Sequence, residues 1–284
     1  MKLFESLEIT DSRYAAAVAL HDYVSNRSVA LFLRSRPDEL YIASGVCVHI
    51  ANRYLVATAA HNLEGLELSN VAVIARGEQF GQPLKVLRMG LPNPPDHDIA
   101  WLELDPEASR RPRLQFVVLD QFAYLHEEVD CQPCFLQGYP AEKVQKPCDA
   151  KQRPFLESEG LLTRSIAPSR RRSPRVIGVD IAVEYPPHDG SVDNLGLPPP
   201  PGVSGGGLWL FPRFDDHPVW SAEKARLVGI ARGWWKDDRE LLATRIECWL
   251  TLVGSQIEEL CDDVASILQS VRTKPAGHVP APSV

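Results

Sequence analysis

The chain has 284 residues, of which 44% are hydrophobic and 24% are charged. This composition is ordinary for a globular protein and allows one or two domains with a buried core. A net charge of −7 argues against general binding to nucleic acids or anionic membranes. No apolar run is long enough for a membrane helix, and acidic residues precede the short run at residues 14–20, where a secretory signal carries positive charge.

The first part of the chain predicts a helix followed by a barrel. Residues 1–27 are interpreted as a helical extension, with Tyr14, Val18 and Leu20 on one apolar face. Short β-rich runs separated by turn residues then predict six strands, at residues 29–33, 41–50, 54–58, 71–75, 84–89 and 99–104. Six short strands with tight turns favour a closed antiparallel barrel over residues 28–125.

The second part of the chain repeats this alternation of short strands and turns. Strands are predicted at residues 134–140, 160–166, 176–183, 207–211, 227–231 and 241–246. Apolar residues at helical spacing then predict a closing helix over residues 250–271. Residues 273–284 are rich in proline and alanine and are expected to form a flexible tail.

Three short segments, in one order along the chain, carry the candidate chemistry. The first ends in His61, directly after an apolar strand, and the second starts with Asp98 at the mouth of another strand. The third is Gly-Val-Ser-Gly-Gly at residues 202–206, which puts Ser204 inside a glycine turn. A serine hydroxyl needs a neighbouring base to act as a nucleophile. Histidine suits this task at neutral pH, and a carboxylate can orient it.

The three segments resemble the chymotrypsin-like (trypsin-like) serine peptidase family, whose catalytic residues occur in the order His, Asp, Ser. The resemblance implies that His61 is the general base, Asp98 its orienting partner and Ser204 the nucleophile. It also implies an all-β fold of two six-stranded antiparallel barrels, with an N-terminal helical extension and a C-terminal helix. The second barrel then covers residues 126–272 and supplies the serine, and the active site lies in the cleft between the barrels.

Acyl transfer also requires hydrogen-bond donors to the developing oxyanion. The glycine turn suits this requirement, because glycine permits a turn that exposes backbone N–H groups. By the resemblance, the donors are the amides of Gly202 and Ser204. Val203 stands where well-known members carry an aspartate that receives a new N-terminus after cleavage of the zymogen. We therefore expect that trimming of the N-terminus does not activate this protein.

The same resemblance places the specificity pocket at Pro198, Arg232, Gly233 and Trp234. Pro198 stands where trypsin-like members have an acidic residue, so a preference for Lys or Arg in the substrate is not expected. Trp234 is expected to narrow the pocket.

Other interpretations of the serine and aspartate segments compete with this one. Residues 202–206 also match the Gly-x-Ser-x-Gly elbow of α/β-hydrolases. That family needs a helix after the serine and the order Ser, Asp, His, whereas a strand is predicted here. Asp96 and His97 compete with Asp98, but the apolar strand pattern starts directly after Asp98.

Two further clusters have weaker functional interpretations. Cys131 and Cys134, with His126 and Cys148, would offer four zinc ligands. A single Cys-x-x-Cys pair is weak support, and no metal is expected. The arginines at residues 170–172 are interpreted as a solvated loop, with a docking patch for an acidic partner as the alternative.

The cysteines favour a reducing, cytoplasmic location. Cys47 lies within an apolar strand, and Asn62 stands where secreted members often have a cysteine. The predicted function is a serine endopeptidase that cleaves protein or peptide substrates without a cofactor. We expect control by the N-terminal extension, by the proline-rich loop before Ser204, or by a regulatory protein partner. The alternative is a peptidase fold without turnover that acts as a binding or scaffold protein.

Overall fold

The computed structural model describes residues 2–3, 11–36, 39–76, 82–92, 97–124, 131–143, 158–167, 176, 178–185, 201–212 and 220–273. Within these ranges the chain is mostly β-strand, in two sheets, and helices lie near both ends. The predicted all-β fold with two antiparallel barrels and helical ends is therefore confirmed.

The N-terminal segment differs in detail from the predicted helical extension. It contains a strand, β1 (Lys2–Leu3), and a helix, α1 (Asp11–Ser25). The strand pairs in parallel with Leu161 and Leu162 of a later strand. Two residues are too few to show the alternation of apolar and polar residues by which a strand is predicted from sequence. In α1 the buried side chains include Ala17, Leu20 and Val24, whereas Val18 of the predicted apolar face is 39% exposed.

The first sheet follows the prediction closely. Its six strands are β2 (Ser28–Arg36), β3 (Glu39–Ile50), β4 (Arg53–Thr58), β5 (Val71–Ala75), β6 (Val86–Gly90) and β7 (Ala100–Leu104). They pair antiparallel in the order β5-β2-β3-β4-β7-β6. A bridge from Val73 to Leu84 connects β5 to the chain before β6, so the sheet curls toward closure. Branched apolar residues dominate these strands because they suit a pleated surface that is half buried.

The second sheet has the same number of antiparallel strands. They are β8 (Pro133–Gly138), β9 (Glu159–Arg164), β10 (Asp180–Glu184), β11 (Gly207–Leu210), β12 (Arg226–Trp235) and β13 (Glu240–Arg245). Their order is β9-β8-β11-β12-β13-β10, and β1 adds a parallel strand beside β9. A bridge from Ser165 to Val183 connects the two ends of this sheet as well.

The predicted closing helix is two helices, α2 (Ile246–Gln256) and α3 (Cys261–Thr273). Between them Ile257 has an extended backbone, with φ −113° and ψ 98°, and its side chain is fully buried. The apolar spacing continues through this break, which is why the sequence alone predicts one helix. None of the helices described is long and apolar enough to cross a membrane.

Helix α2 attaches the C-terminal part of the chain to the first sheet. The buried Trp249 donates through Nε1 to the carbonyl oxygen of Ala100, at 3.0 Å, at the start of β7. Trp249 also belongs to the largest apolar cluster, which includes Trp101 of the first sheet and Trp209 of the second. The helix therefore fixes the end of β7 from which residue 98 extends.

Candidate functional site

Three side chains from separate parts of the chain are hydrogen-bonded in series. His61 lies in a 3₁₀ turn, Ala60–Asn62, directly after β4, and Asp98 lies just before β7. Because β4 and β7 pair antiparallel, with Thr58 opposite Ala100, these two positions meet at one end of the first sheet. His61 Nδ1 is 2.6 Å from Asp98 Oδ2, and Ser204 Oγ is 2.8 Å from His61 Nε2.

The carboxylate of Asp98 is held by His61 through two bonds. The backbone N–H of His61 donates to Oδ1 at 2.9 Å, in addition to the bond from the ring to Oδ2. Burial alone raises the pKa of Asp98, but the hydrogen bonds from the ring and backbone of His61, with the positive charges of His61 and Arg232, outweigh it and lower the pKa. Asp98 is therefore a carboxylate that keeps its charge while three quarters of its side chain is buried.

Ser204 lies in a turn that only glycine allows at two positions. Gly202 and Gly205 have φ of 94° and 87°, in the left-handed region. A Cβ on Gly202 would lie 2.4 Å from the carbonyl oxygen of Tyr139, and one on Gly205 would lie 2.0 Å from that of Ser44. The two glycines thus bring the serine close to the backbone of both sheets.

Ser44 and Asn62 hold this turn from the first sheet. The backbone N–H of Ser44 donates to the carbonyl oxygen of Ser204 at 2.8 Å, and its hydroxyl donates to that of Gly202 at 2.6 Å. Asn62 donates through Nδ2 to the same Ser204 oxygen at 3.2 Å. Sequence reasoning missed the role of Ser44, whose only signal is a polar residue within the apolar run at residues 41–50.

The backbone N–H groups of Gly202 and Ser204 differ from those of the following glycines in whether they have a hydrogen-bond acceptor. Gly205 donates to the carbonyl oxygen of Ala231 at 2.7 Å, and Gly206 donates to that of Val203 at 2.8 Å. Neither the Gly202 nor the Ser204 amide donates to an acceptor in the described part of the chain. Both predicted oxyanion donors are therefore without an acceptor among the described residues.

A cavity of about 190 Å³ adjoins Ser204. Three of the predicted pocket residues, Arg232, Gly233 and Trp234, line it, and the fourth, Pro198, lies outside the described residues. The ring of Trp234 packs edge-on against Tyr185, with 6.2 Å between the centroids. The cavity and the hydroxyl together can hold a side chain and present a neighbouring carbonyl carbon to an oxygen nucleophile.

The other predicted clusters are not part of this site. Cys134 is buried in β8, while Cys131 is exposed beside it. His126, Cys148 and the arginines at 170–172 lie outside the described residues. Across the ranges that the structure describes, no group of three or more His, Cys, Asp or Glu side chains is arranged to hold a metal ion.

No protein-family model matches this sequence, and none of the curated proteins is similar to it.

Proposed function

We propose that this protein is a serine endopeptidase of the chymotrypsin-like family, which hydrolyses peptide bonds through an acyl-enzyme on Ser204. The observation that carries the proposal is the continuous hydrogen-bonded series from Asp98 through His61 to Ser204. The division of these residues between two sheets, each with six antiparallel strands, also supports it, since the family is built in the same way.

In the proposed reaction, Ser204 Oγ attacks the carbonyl carbon of the scissile bond while His61 Nε2 takes the hydroxyl proton. Asp98 accepts the hydrogen bond from Nδ1 and offsets the charge of the imidazolium. Collapse of the tetrahedral intermediate transfers the proton to the leaving amine and leaves an ester on Ser204. A water molecule then attacks the ester by the same route, which releases the acid and restores the serine.

The backbone amides of Gly202 and Ser204 are the proposed donors to the oxyanion. Their freedom from other described acceptors supports this role, because a donor already paired is not available to the intermediate. Loss of one such donor typically costs about 3 kcal/mol of transition-state stabilisation.

The turn is proposed to need no activation by N-terminal trimming. Val203 is 5% exposed and belongs to an apolar cluster with Leu208 and Val228 of the second sheet. A side chain of this kind cannot form an ion pair with a new N-terminus, and its burial already stabilises the turn. An inactive full-length protein that becomes active after trimming would contradict this part of the proposal.

The proposed substrates are proteins or peptides with a small or apolar side chain before the scissile bond. The walls of the cavity include Ala231, Trp234 and Leu241, and no carboxylate is among its described lining residues. Arg232 lines the same wall with its charge paired to that of Asp180, so it offers no attraction to Lys or Arg in the substrate.

A cytoplasmic location and control by a regulatory protein partner complete the proposal. The five cysteines that the structure describes are all free thiols, as in proteins of reducing compartments. An endopeptidase in that compartment shares it with many possible substrates, so its activity needs restraint.

The decisive experiment is treatment of the purified protein with a fluorophosphonate probe, followed by intact mass measurement. We expect one added label on the wild type and none on Ser204→Ala, which has the same fold without the nucleophile. If the wild type takes the label, a separate sample that has not met the probe is incubated with casein to detect peptide-bond cleavage. An unlabelled wild type would contradict the proposal and favour the alternative, a peptidase fold that acts as a binding or scaffold protein.

A further inference from the structure

A largely buried ion pair includes Arg232, whose carbonyl oxygen borders Ser204, and has no part in the reaction described above. Arg232 donates through Nη2 to Asp180 Oδ2 at 2.8 Å, and the two side chains are 20% and 1% exposed. Removing two charges from water is unfavourable, so a buried pair is weak evidence for stability. Its position next to the site points to a role there.

The backbone of Arg232 is irregular at this point. The register of β12 against β13 shifts between Ala231 and Gly233, which makes Arg232 the residue of a β-bulge. Bulges turn a side chain or a carbonyl away from the regular ladder and are frequent next to functional sites. Here the carbonyl oxygen of Arg232 lies 3.4 Å from Ser204 Oγ, and the residue also lines the cavity.

Asp180, on a different strand, fixes the side chain of Arg232. It is the first residue of β10, and its Oδ2 also accepts a hydrogen bond from the backbone N–H of Val176 at 2.8 Å. The carboxylate is therefore tied both to its own loop and to the bulge of β12.

The charge of Arg232 acts on Asp98. Burial of Asp98 works against ionisation, and the hydrogen bonds from His61 and the charge of Arg232 act in the opposite direction and lower its pKa. The charges that lower the pKa of Asp98 are those of His61, in the 3₁₀ turn, and Arg232, on β12, and Arg232 is itself paired with Asp180 on β10. His97 precedes Asp98 in the chain.

We propose that Arg232 is a positioning residue of the active site, held by Asp180. The bond from its guanidinium to Asp180 fixes the β-bulge of β12, and this bulge sets the backbone carbonyl that borders Ser204. This inference rests on the proposed function. The arginine and its carboxylate form a neutral unit, so replacing either one changes the net charge behind the catalytic residues.

The test is the rate of fluorophosphonate labelling from about pH 5 to about pH 9. Arg232→Gln removes the cation, so the pH of half-maximal labelling should rise by roughly half a unit. The plateau rate should fall about tenfold as the serine and its base lose alignment. In Asp180→Asn the cation has no counter-charge, and the half-maximal pH should fall. The double variant has neither charge, so its half-maximal pH should return near the wild-type value while the plateau stays low.

Arg226→Gln is the matched control, because it removes a cation from the exposed start of the same strand, where Arg226 donates to the Asp120 carbonyl oxygen. Its half-maximal pH and plateau should equal those of the wild type. If the labelling rates of both Arg232→Gln and Asp180→Asn depend on pH as that of the wild type does, the inference is overturned and the proposed function stands. A wild type that takes no label overturns both. If the single variants do not fold, the neutral double variant decides: a reduced plateau supports the inference, and a wild-type plateau overturns it.

Discussion

The backbone N–H of Ser44, in the first sheet, donates to the carbonyl oxygen of Ser204, in the second, at 2.8 Å. The Ser44 hydroxyl donates to Gly202 at 2.6 Å and accepts from the backbone N–H of Tyr139 at 2.8 Å. The first sheet thus holds the turn that carries the candidate nucleophile, and the alignment of the site depends on how the two sheets meet.

Ser44→Ala should retain the backbone bond and lose both hydroxyl bonds. The buried groups left without a partner reduce the free energy of unfolding by about 1 to 3 kcal/mol. Labelling of Ser204 should slow as the turn loosens, which is measured with the fluorophosphonate probe alongside urea unfolding. Ser25→Ala is the control, because it removes a buried hydroxyl that is bonded to Ser158 at 2.9 Å. A labelling rate in Ser44→Ala equal to that in Ser25→Ala would contradict the role of Ser44.

Gly202→Ala should abolish labelling. Its Cβ would lie 2.4 Å from the Tyr139 carbonyl oxygen and 2.5 Å from the Ala141 nitrogen, so the turn has to move. Gly65→Ala is the matched control, since Gly65 also has a positive φ, of 72°, but a Cβ there meets nothing within 4 Å. The control should be destabilised by only about 1 kcal/mol, through backbone strain. Normal labelling of folded Gly202→Ala would show that this turn tolerates displacement.

Asp98→Asn should change how stability depends on pH. The pKa of Asp98 is lowered in the folded protein, so its ionised form stabilises the fold above the usual Asp pKa. That contribution is lost as pH falls through the folded-state pKa. The difference in unfolding free energy between wild type and variant should therefore be steady near pH 5 and shrink below about pH 4. Urea unfolding at a series of acidic pH values measures it, and a difference that grows on acidification would refute the assignment.

Trp249→Phe should destabilise the protein more than Trp209→Phe does. Both tryptophans are fully buried, so the loss of packing is similar. Trp249 also donates to the Ala100 carbonyl oxygen at 3.0 Å, whereas Nε1 of Trp209 has no hydrogen-bond partner among the described residues. The expected difference in unfolding free energy is about 1 kcal/mol. Equal losses in thermal and urea unfolding would show that the bond to β7 contributes nothing.

Local patterns predict most of the strands because each strand is a short branched-apolar run bounded by turn residues. Strands β5 and β13 occur within one residue of their predicted ends. Elements without such a signal are not predictable in this way. The strand β1 has two residues and pairs with a distant partner. The sequence does not reveal the break between α2 and α3 at Ile257, because the Ile257 side chain continues the apolar face while its backbone leaves the helical conformation.

The residues of the candidate site also divide into those that the sequence predicts and those that it does not. His61, Asp98 and Ser204 each stand in a recognisable local context, and the structure brings them within hydrogen-bonding distance. Ser44 and Asp180 act through contacts between strands that are far apart in the chain. Ser44 shows in the sequence only as a polar residue within an apolar run, and Asp180 has no local signal, because such contacts depend on the register and packing of strands in the folded protein.

The wide separation of the site residues along the chain has a consequence for synthesis. Ser204 follows His61 by 143 residues, so the ribosome adds the serine roughly 7 to 30 seconds after the histidine. The helix that anchors β7 is made later still, because Trp249 lies near the C-terminal end of the described chain. If the site is hydrolytic, a growing chain has no cleaving centre during the period when its own strands are unpaired and most vulnerable. Each growing chain then lacks the means to cleave itself before Ser204 has been added.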